Sequence, residues 1–420
     1  MKKRLLLITR NYPFKLGNSE ISFVEQELPY LKRAFDVTLL PIQANREAKS
    51  ITPYDLDLSL SQYYTTKNFA LLAIGSLWNF KLSDYKEFFN FRTPVASIVQ
   101  LLKHHIRRQI GQKWAGEFEF RNFDIVYSFW LNPVVDGILD LSPCIPIVSR
   151  AHGYDLYEER NASNIAIRQS EIVKRLDTVF TVSKHGQLYL KNKTHLTNIE
   201  TAYLGVESRT TRKNFANVGD HSDRNAIDFL SISSIDGNKR VSTIFHAIRS
   251  FASLNPAHQL SWHHFGSGPG EFELRELIRN TRQENLRIVL HGQVPKESVI
   301  NFLEQCRSSI FLSASLSEGL PVSMLEASSF GLPIVGTKVG GVAEVITEKT
   351  GWLISIDNFV TDFVKLFSKT SLDEIVSKSI GAIDQQRSVF DKNRNYGSFV
   401  TRLEAIASRN YVNLPAKRSS

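Results

Sequence analysis

The sequence predicts two α/β domains, each built on a doubly wound parallel sheet. Short apolar runs alternate with helix-period patterns along the whole chain, the signature of βαβ units. The 420 residues suit two domains, and a 42% apolar content with 14 Pro and 22 Gly supplies large cores and excludes a disordered or fibrous chain. Between the halves, residues 208–225 are polar, basic and rich in Asn, Ser and Thr, without apolar periodicity, and read as a linker. The expected organisation is a first domain over 1–207, the linker, a second domain over 226–390, and a last helix over 391–410.

In the first half the predicted strands fall at 4–8, 37–40, 125–128, 147–150 and 178–182. In the second they fall at 229–233, 260–265, 287–290, 310–313, 334–336 and 352–354. The start, Lys2-Lys3-Arg4 before Leu5, superficially resembles a secretory leader, but its apolar run stops at Thr9-Arg10 and reads better as a buried first strand. A helix over 21–32 follows. Thr93 and Pro94 suit N-cap and N1 of a helix with Val95, Ile98, Leu102, Ile106, Ile110 and Trp114 on one side. Lys103, Arg107, Arg108 and Lys113, with His104 and His105, fall largely off that side. This reads as a domain helix with a solvated basic face, a membrane-surface helix being the alternative. The longest apolar stretch, 69–80, is interrupted by Gly75, Ser76 and Asn79 and is shorter than the roughly 20 residues a bilayer requires, so no membrane span is expected. Near the end, 393–408 reads as an amphipathic helix with Tyr396, Phe399, Leu403 and Ile406 on one side.

Lys and Arg number 51 against 42 Asp and Glu, a net charge of +9, which admits nucleic acid, an anionic membrane surface or a phosphorylated ligand as partner. No zinc-finger spacing, aromatic-basic single-strand motif or helix-turn-helix pattern singles out nucleic acid. Two cysteines, Cys144 and Cys306, build neither a disulfide framework nor a metal site, and cytoplasm is the expected compartment. There is no fixed-period repeat.

Two α/β domains joined by a hinge place a ligand cleft between the carboxyl ends of their sheets, so the chemistry belongs on loops that follow strands. One such loop runs Ser313-Ala-Ser-Leu-Ser-Glu318-Gly319-Leu320-Pro321 into a helix closed by Gly331 and Pro333. Pro321 suits its first position. The amides of Leu320, Val322 and Ser323 are then unpaired first-turn donors, which with the helix dipole favour a phosphate. Glu318 in the loop and Glu326 behind it are placed to accept from vicinal hydroxyls. A diphosphate with a hydroxylated group on each side, a nucleotide sugar, fits. Two solvated glutamates around an ordinary turn are the plain alternative. Glycines at other strand ends, Gly340-Gly341 before Glu344, Gly351 and Gly266-Ser267-Gly268-Pro269, allow close approach of a ligand or of backbone.

These segments, with Phe265-Gly266-Ser267-Gly268-Pro269, Leu290-His291-Gly292-Gln293-Val294 and Gly331-Leu332-Pro333-Ile334-Val335, resemble the carboxyl-half signature of family 4 retaining glycosyltransferases of the bacterial exopolysaccharide, capsule and O-antigen type. The resemblance is dense over 230–355. It implies the GT-B architecture, two Rossmann-like domains facing across a cleft, with the last helix crossing back to the first domain. It also implies that Glu318 contacts the donor sugar, that Glu326 binds the ribose, and that Gln293-Val294 lies against the base. Gly266 and Gly319 join the donor site. The family usually presents Gly-Arg and, five residues after the Arg, a Lys, both bases holding the donor diphosphate. Here Lys239 is kept, but Ser233-Ser234 stands at the Gly-Arg pair, so one phosphate contact at Ser234 is missing or moved. Arg240 is the candidate to compensate, against an Arg pointing into solvent.

In the first half, Ser149-Arg150-Ala151-His152-Gly153-Tyr154-Asp155-Leu156-Tyr157 resembles the family's histidine loop. It implies that His152 faces donor sugar and acceptor from across the cleft; Asp155 and Tyr157 read simply as caps of the following helix. Gly17, after the first strand, is the candidate to approach the donor phosphates. Residues 45–122 match no motif and are where acceptor or membrane contact is expected.

The resemblance thus implies retaining, metal-independent transfer of a hexose-type sugar from a UDP- or GDP-linked donor, without a cofactor. It further implies a lipid-linked surface-polysaccharide intermediate as acceptor and a cytoplasmic protein, with peripheral contact to an anionic inner membrane as a further expectation. Hinge closure would exclude water. The rivals are a catalytically weak or inactive sugar-nucleotide-binding or glycan-binding subunit, for which Ser234 speaks, and another enzyme of the same fold, such as a sugar-nucleotide epimerase.

Overall fold

A computed structural model describes residues 2–14, 20–44, 55–141, 144–160, 166–209, 226–305 and 309–409. The chain forms two compact units, Met1–Ala202 with Tyr396–Ser420, and Tyr203–Asn395. Of the expected linker, 210–225 lies outside the described residues, as do Gly17 and Cys306.

The first unit holds β1 (Lys3–Thr9), β2 (Phe35–Pro41), β3 (Asp55–Leu56), β4 (Ile125–Ser128), β5 (Ile147–Ala151), β6 (Thr178–Thr181) and β7 (Ile199–Thr201). They form one parallel sheet in the order β3-β2-β1-β4-β5-β6-β7. Its helices are α1 (Glu20–Ala34), α2 (Thr66–Asn79), α3 (Pro94–Glu117), α4 (Pro133–Leu139), α5 (Gly153–Leu156), α6 (Gln169–Arg175) and α7 (Lys184–Thr194). Leu5, Leu6, Leu7 and Ile8 are all buried, because a parallel sheet is covered on both faces and its strands read as continuous apolar runs. One face packs on a core containing Ile110, Trp114, Val135 and Ile172. The other packs on Val24, Leu28, Phe399 and Leu403.

The second unit holds β8 (Ala226–Ile232), β9 (Gln259–Phe265), β10 (Leu286–Gly292), β11 (Ser309–Ser313), β12 (Ile334–Thr337) and β13 (Gly351–Ile354). All are parallel, in the order β10-β9-β8-β11-β12-β13. Its helices are α8 (Val241–Leu254), α9 (Glu271–Arg279), α10 (Lys296–Gln305), α11 (Val322–Ser329), α12 (Val342–Val345), α13 (Phe359–Phe367) and α14 (Leu372–Val389). Finally α15 (Lys392–Ala407) begins in the second unit and ends in the first. In both sheets the strand order reverses at the middle, at β1/β4 and at β8/β11. Such a reversal opens a crevice at the carboxyl ends of the strands.

Every strand expected from the sequence is present. The sequence reading lacked β3 and β7, edge strands of two and three residues that are too short for a periodic signal. The expectation for 94–114 is corrected in part: Ile110 and Trp114 are buried, but Val95 and Ile98 are exposed, and Ser97, Leu101, His104 and His105 face inward. The reason is polar: His104 Nε2 lies 3.2 Å from Asp136 Oδ2, and His105 Nδ1 pairs with the Tyr85 hydroxyl at 3.0 Å. Pro321 stands at the N-cap of α11, one place before the expected position.

Candidate functional site

The loop after β8 is folded by its own side chains. Asp236 Oδ1 accepts the amides of Asn238 and Lys239 at 2.9 Å each, and Oδ2 accepts the Ser234 hydroxyl at 2.6 Å. Asn238 then joins this loop to the one after β11: its Oδ1 accepts the Ser317 amide at 3.1 Å, and its carbonyl accepts that of Leu316 at 2.8 Å. The result places Lys239 Nζ 2.5 Å from Glu318 Oε1, an oxygen that also accepts the Ser315 hydroxyl at 2.7 Å.

Arg240, at φ 46°, is spent on backbone. Its Nε donates to the Ala314 carbonyl at 2.8 Å and both terminal nitrogens donate to that of Ile356 at 3.2 Å. The guanidinium thus braces the loops from behind, neither pointing into solvent nor left free for a phosphate. Burial lowers its pKa from the ordinary value.

The acidic loop rests on the turn after β12. Gly340 sits at φ 47°, a side chain there would collide with the Glu318 carbonyl, and that carbonyl accepts the Gly341 amide at 3.2 Å. Thr337 Oγ1 donates to Ser315 O at 2.5 Å. From this support the chain enters α11. Among the described residues, the amides of Leu320, Val322 and Ser323 donate to no protein acceptor, so the helix presents free donors and its positive dipole end beside the loop. Gly331, at φ 80°, closes the helix as expected.

Glu326, on α11, pairs with Lys296 Nζ at 2.7 Å. Lys296 opens α10 two residues after Val294, with Pro295 between, so this ion pair ties the Gln293-Val294 stretch to α11; Gln293 is exposed and Val294 half-buried. Gly266, at φ 129°, lies against the Ser233 carbonyl and donates its amide to Gly292 at 2.9 Å, bringing the β8, β9 and β10 ends together. Ser234, Lys239, Arg240, Gly266, Gln293, Val294, Gly319, Leu320, Val322 and Ser323 therefore lie on loops and helix starts at the carboxyl edge of one sheet, with Glu318, and Glu326 lies one turn into α11. Among the described residues no group of three or more His, Cys, Asp or Glu side chains is arranged to hold a metal ion.

In the first unit, His152 follows β5 and N-caps α5. Its ring lies over Phe129 and Trp130, at centroid distances of 5.0 and 4.4 Å, with both nitrogens buried and unbonded. Burial, and then the charge of Arg150, hold its pKa well below the ordinary value, so the ring is neutral at pH 7. Asp155 fixes the loop by accepting the amides of His152 at 2.5 Å and Leu131 at 2.8 Å. Burial pushes Asp155 up to about 7 despite those bonds. The platform under His152 is itself anchored: Trp130 Nε1 donates to Glu20 at 2.8 Å, and Glu20 also gathers the amides of Arg10, Asn11 and Tyr12. Behind the loop, Arg150 is fully buried, ion-paired with Glu27 and seated over the Phe399 ring.

Sequence reasoning did not single out Asn238, Ser315, Lys296, Trp130 or Glu20. The Asp236-Gly237-Asn238 run was a readable turn signal, but the partners it finds lie about 80 positions away.

Known proteins resemble this chain in sequence over part of its length and in fold over nearly all of it. A family model described as "Glycosyl transferases group 1" matches residues 217–387. A 118-residue stretch is 33% identical to the phosphatidylinositol N-acetylglucosaminyltransferase GPI3 subunit of Saccharomyces cerevisiae, covering 28% of this chain and 23% of that protein. A 212-residue stretch is 25% identical to the putative colanic acid biosynthesis glycosyltransferase WcaL of Salmonella typhimurium, covering 48% and 50%. The chain thus spans half or less of the length of these relatives. Among solved structures, the lipopolysaccharide outer core galactosyltransferase WaaB superposes with a TM-score of 0.64 at 14% identity, over 96% of this chain and 99% of that one. Anabaena HepE in complex with UDP and glucose gives 0.60 at 15%, over 96% and 100%. The fold is that of the GT-B glycosyltransferases: two parallel sheets, of seven and six strands, each flanked by helices.

Proposed function

We propose that this chain is a retaining, metal-independent glycosyltransferase that moves a hexose-type sugar from a UDP- or GDP-linked donor to a hydroxyl of a lipid-linked surface-polysaccharide intermediate in the cytoplasm. The observation that carries the reading is the convergence of Lys239, Glu318 and the unpaired amides opening α11, inside the region matched by the group 1 family. The polysaccharide enzymes among the relatives and neighbours support the acceptor class, and the UDP bound to the Anabaena neighbour supports a nucleotide donor.

Departure of the diphosphate develops negative charge. Lys239 and the α11 amides stabilise it as a preorganised set of cation and dipole, and no divalent cation or cofactor is required. Donor binding opens the Lys239–Glu318 pair: the ammonium goes to the phosphates and the carboxylate accepts from sugar hydroxyls. Glu326 leaves Lys296 for the ribose, and Gln293-Val294 lies along the base. His152, neutral and without a hydrogen bond, contacts the sugar and acceptor, an assignment that rests on the resemblance of its loop.

One observation favours a second reading, a binding subunit without turnover. Ser234 is neutral and turned to Asp236, so within the described loop after β8 Lys239 is the side-chain cation left for the diphosphate. The test incubates purified protein with UDP-, GDP- and ADP-sugars without magnesium, with and without membrane lipid extract, and measures free nucleotide diphosphate. Release that needs both extract and one particular donor supports transfer. Donor binding without release under every extract supports the binding subunit.

A further inference from the structure

Helix α2 carries no charged residue from Asn68 to its end at Asn79, yet it is not a core helix. Leu71, Ile74 and Trp78, which share one helical face with Gly75, are exposed, Trp78 by 87%. Phe69 packs on the first unit's core, and the following Phe80 stacks on Tyr85 at 5.6 Å. Phe69 and Phe80 thus hold the segment to the domain, while Leu71, Ile74 and Trp78 turn an apolar face to water.

The first half of α3 is reversed in the same sense. Val95, Ile98 and Val99 are exposed, while Ser97, His104 and His105 are inside. The inner polar groups have partners: His104 with Asp136, His105 with Tyr85, and Ser97 Oγ with the Asn90 amide at 3.1 Å. Rotating α3 to hide its valines would orphan these bonds, so the apolar face is fixed outward. Phe91, between the two helices, is 83% exposed. Of the 16 exposed large apolar side chains among the described residues, eight fall within 71–99, a concentration unlike the scattered single residues of an ordinary surface.

The polar residues around them are mainly cationic. Lys81, Lys86, Arg92, Lys103 and Arg107 are exposed, against the exposed Asp84 and Glu87. We propose that α2, the turn after it and the first half of α3 lie on the headgroup layer of an anionic phospholipid bilayer. Trp78 and Phe91 would be the interfacial anchors and the five cations would face lipid phosphates. No helix among the described residues is long and apolar enough to cross a membrane, so the segment lies on the surface without spanning it. A second copy of the chain is the poorer occupant, because an isologous contact would bring the same cationic fringe against itself. The inference is independent of the donor site in the second unit.

The test is co-sedimentation of the full chain with vesicles of phosphatidylcholine alone, or of phosphatidylcholine with about a third phosphatidylglycerol, at low and high salt. The expected result is binding to the anionic vesicles that weakens with salt. A Trp78→Ser/Phe91→Ser variant should keep the wild-type melting temperature, since both side chains are exposed, and lose partitioning by about tenfold or more. The Lys239→Ala variant should partition like wild type. No binding to anionic vesicles at low salt, or equal binding by the double variant, overturns the proposal. So does a dimer in light scattering that the double variant dissolves.

Discussion

Lys239 Nζ and Glu318 Oε1 lie 2.5 Å apart at the carboxyl ends of β8 and β11, so the two groups assigned to adjacent parts of a donor, its diphosphate and its sugar, hold each other. Substitution of either one changes what the other can bind. Glu318→Gln should cut kcat by about a hundredfold or more, the scale of losing one preorganised contact in a transition state. It should bind nucleotide diphosphate at least as tightly as wild type, because Lys239 is released. Lys239→Ala should weaken that binding by about tenfold. Calorimetric titration with UDP and GDP beside turnover reads both, and unchanged turnover in Glu318→Gln would remove its assigned role.

Gly340→Ala tests whether the turn after β12 supports the acidic loop. The residue has φ 47°, and its missing side chain makes room for the Glu318 carbonyl. A methyl group there should displace Glu318 and destabilise the second unit by about 1–3 kcal/mol. Activity should fall further than stability explains. Urea unfolding and turnover at a temperature where the variant is fully folded separate the two.

Asp155 makes the first unit's stability pH-dependent. Its folded pKa is raised to about 7 by burial, against 3.8 ordinarily, so the folded state holds a proton that the unfolded chain gives up earlier. That contribution is fully present below about pH 4 and lost as pH rises through 7, with a limiting slope of about 1.4 kcal/mol per pH unit. Neighbouring His152, lowered by burial, runs the other way at acid pH. The difference between wild type and Asp155→Asn isolates the carboxyl: wild type should lose ground steadily between pH 5 and 7. A pH-independent difference in chemical denaturation would contradict the raised pKa.

Arg150 should be the most costly cation to remove from the first unit. It is buried, pairs with Glu27, donates to the Ala202 carbonyl at 3.1 Å and covers the Phe399 ring. Burial pushes the Glu27 pKa up while Arg150 draws it down. Arg150→Ala leaves that carboxylate without its cation and should cost about 3–5 kcal/mol. Arg150→Met with Glu27→Leu should recover most of the loss. Urea midpoints of the three proteins decide it.

The parts of the candidate site that could be read from the chain are those set by local rules. Glycine and proline around Glu318-Gly319-Leu320-Pro321, and the Gly331-Leu332-Pro333 stop, announce a loop and a short helix, because turn chemistry acts over a few residues. The bracing of Arg240 was not legible. Its partners, Ala314 and Ile356, are carbonyls that carry no side-chain signal, and only the pairing of β8 with β11 brings the first near. The same holds for Lys296, an unremarkable helix-start lysine until it meets Glu326.

The sequence by itself determined that the chain makes two parallel α/β sheets, which strands build them apart from the short edge strands β3 and β7, and which loops carry glycines and carboxylates. Apolar runs of period two and 3.6 and turn residues are properties of neighbours in the chain. The tertiary structure decided which way the helices face. In α3 the apolar periodicity pointed Val95 and Ile98 inward, but Asp136 and Tyr85, from elsewhere in the chain, supply partners for His104 and His105. Leaving two buried imidazoles unpaired costs more than wetting two aliphatic side chains, so the polar bonds set the rotation of the helix and left its apolar face outside.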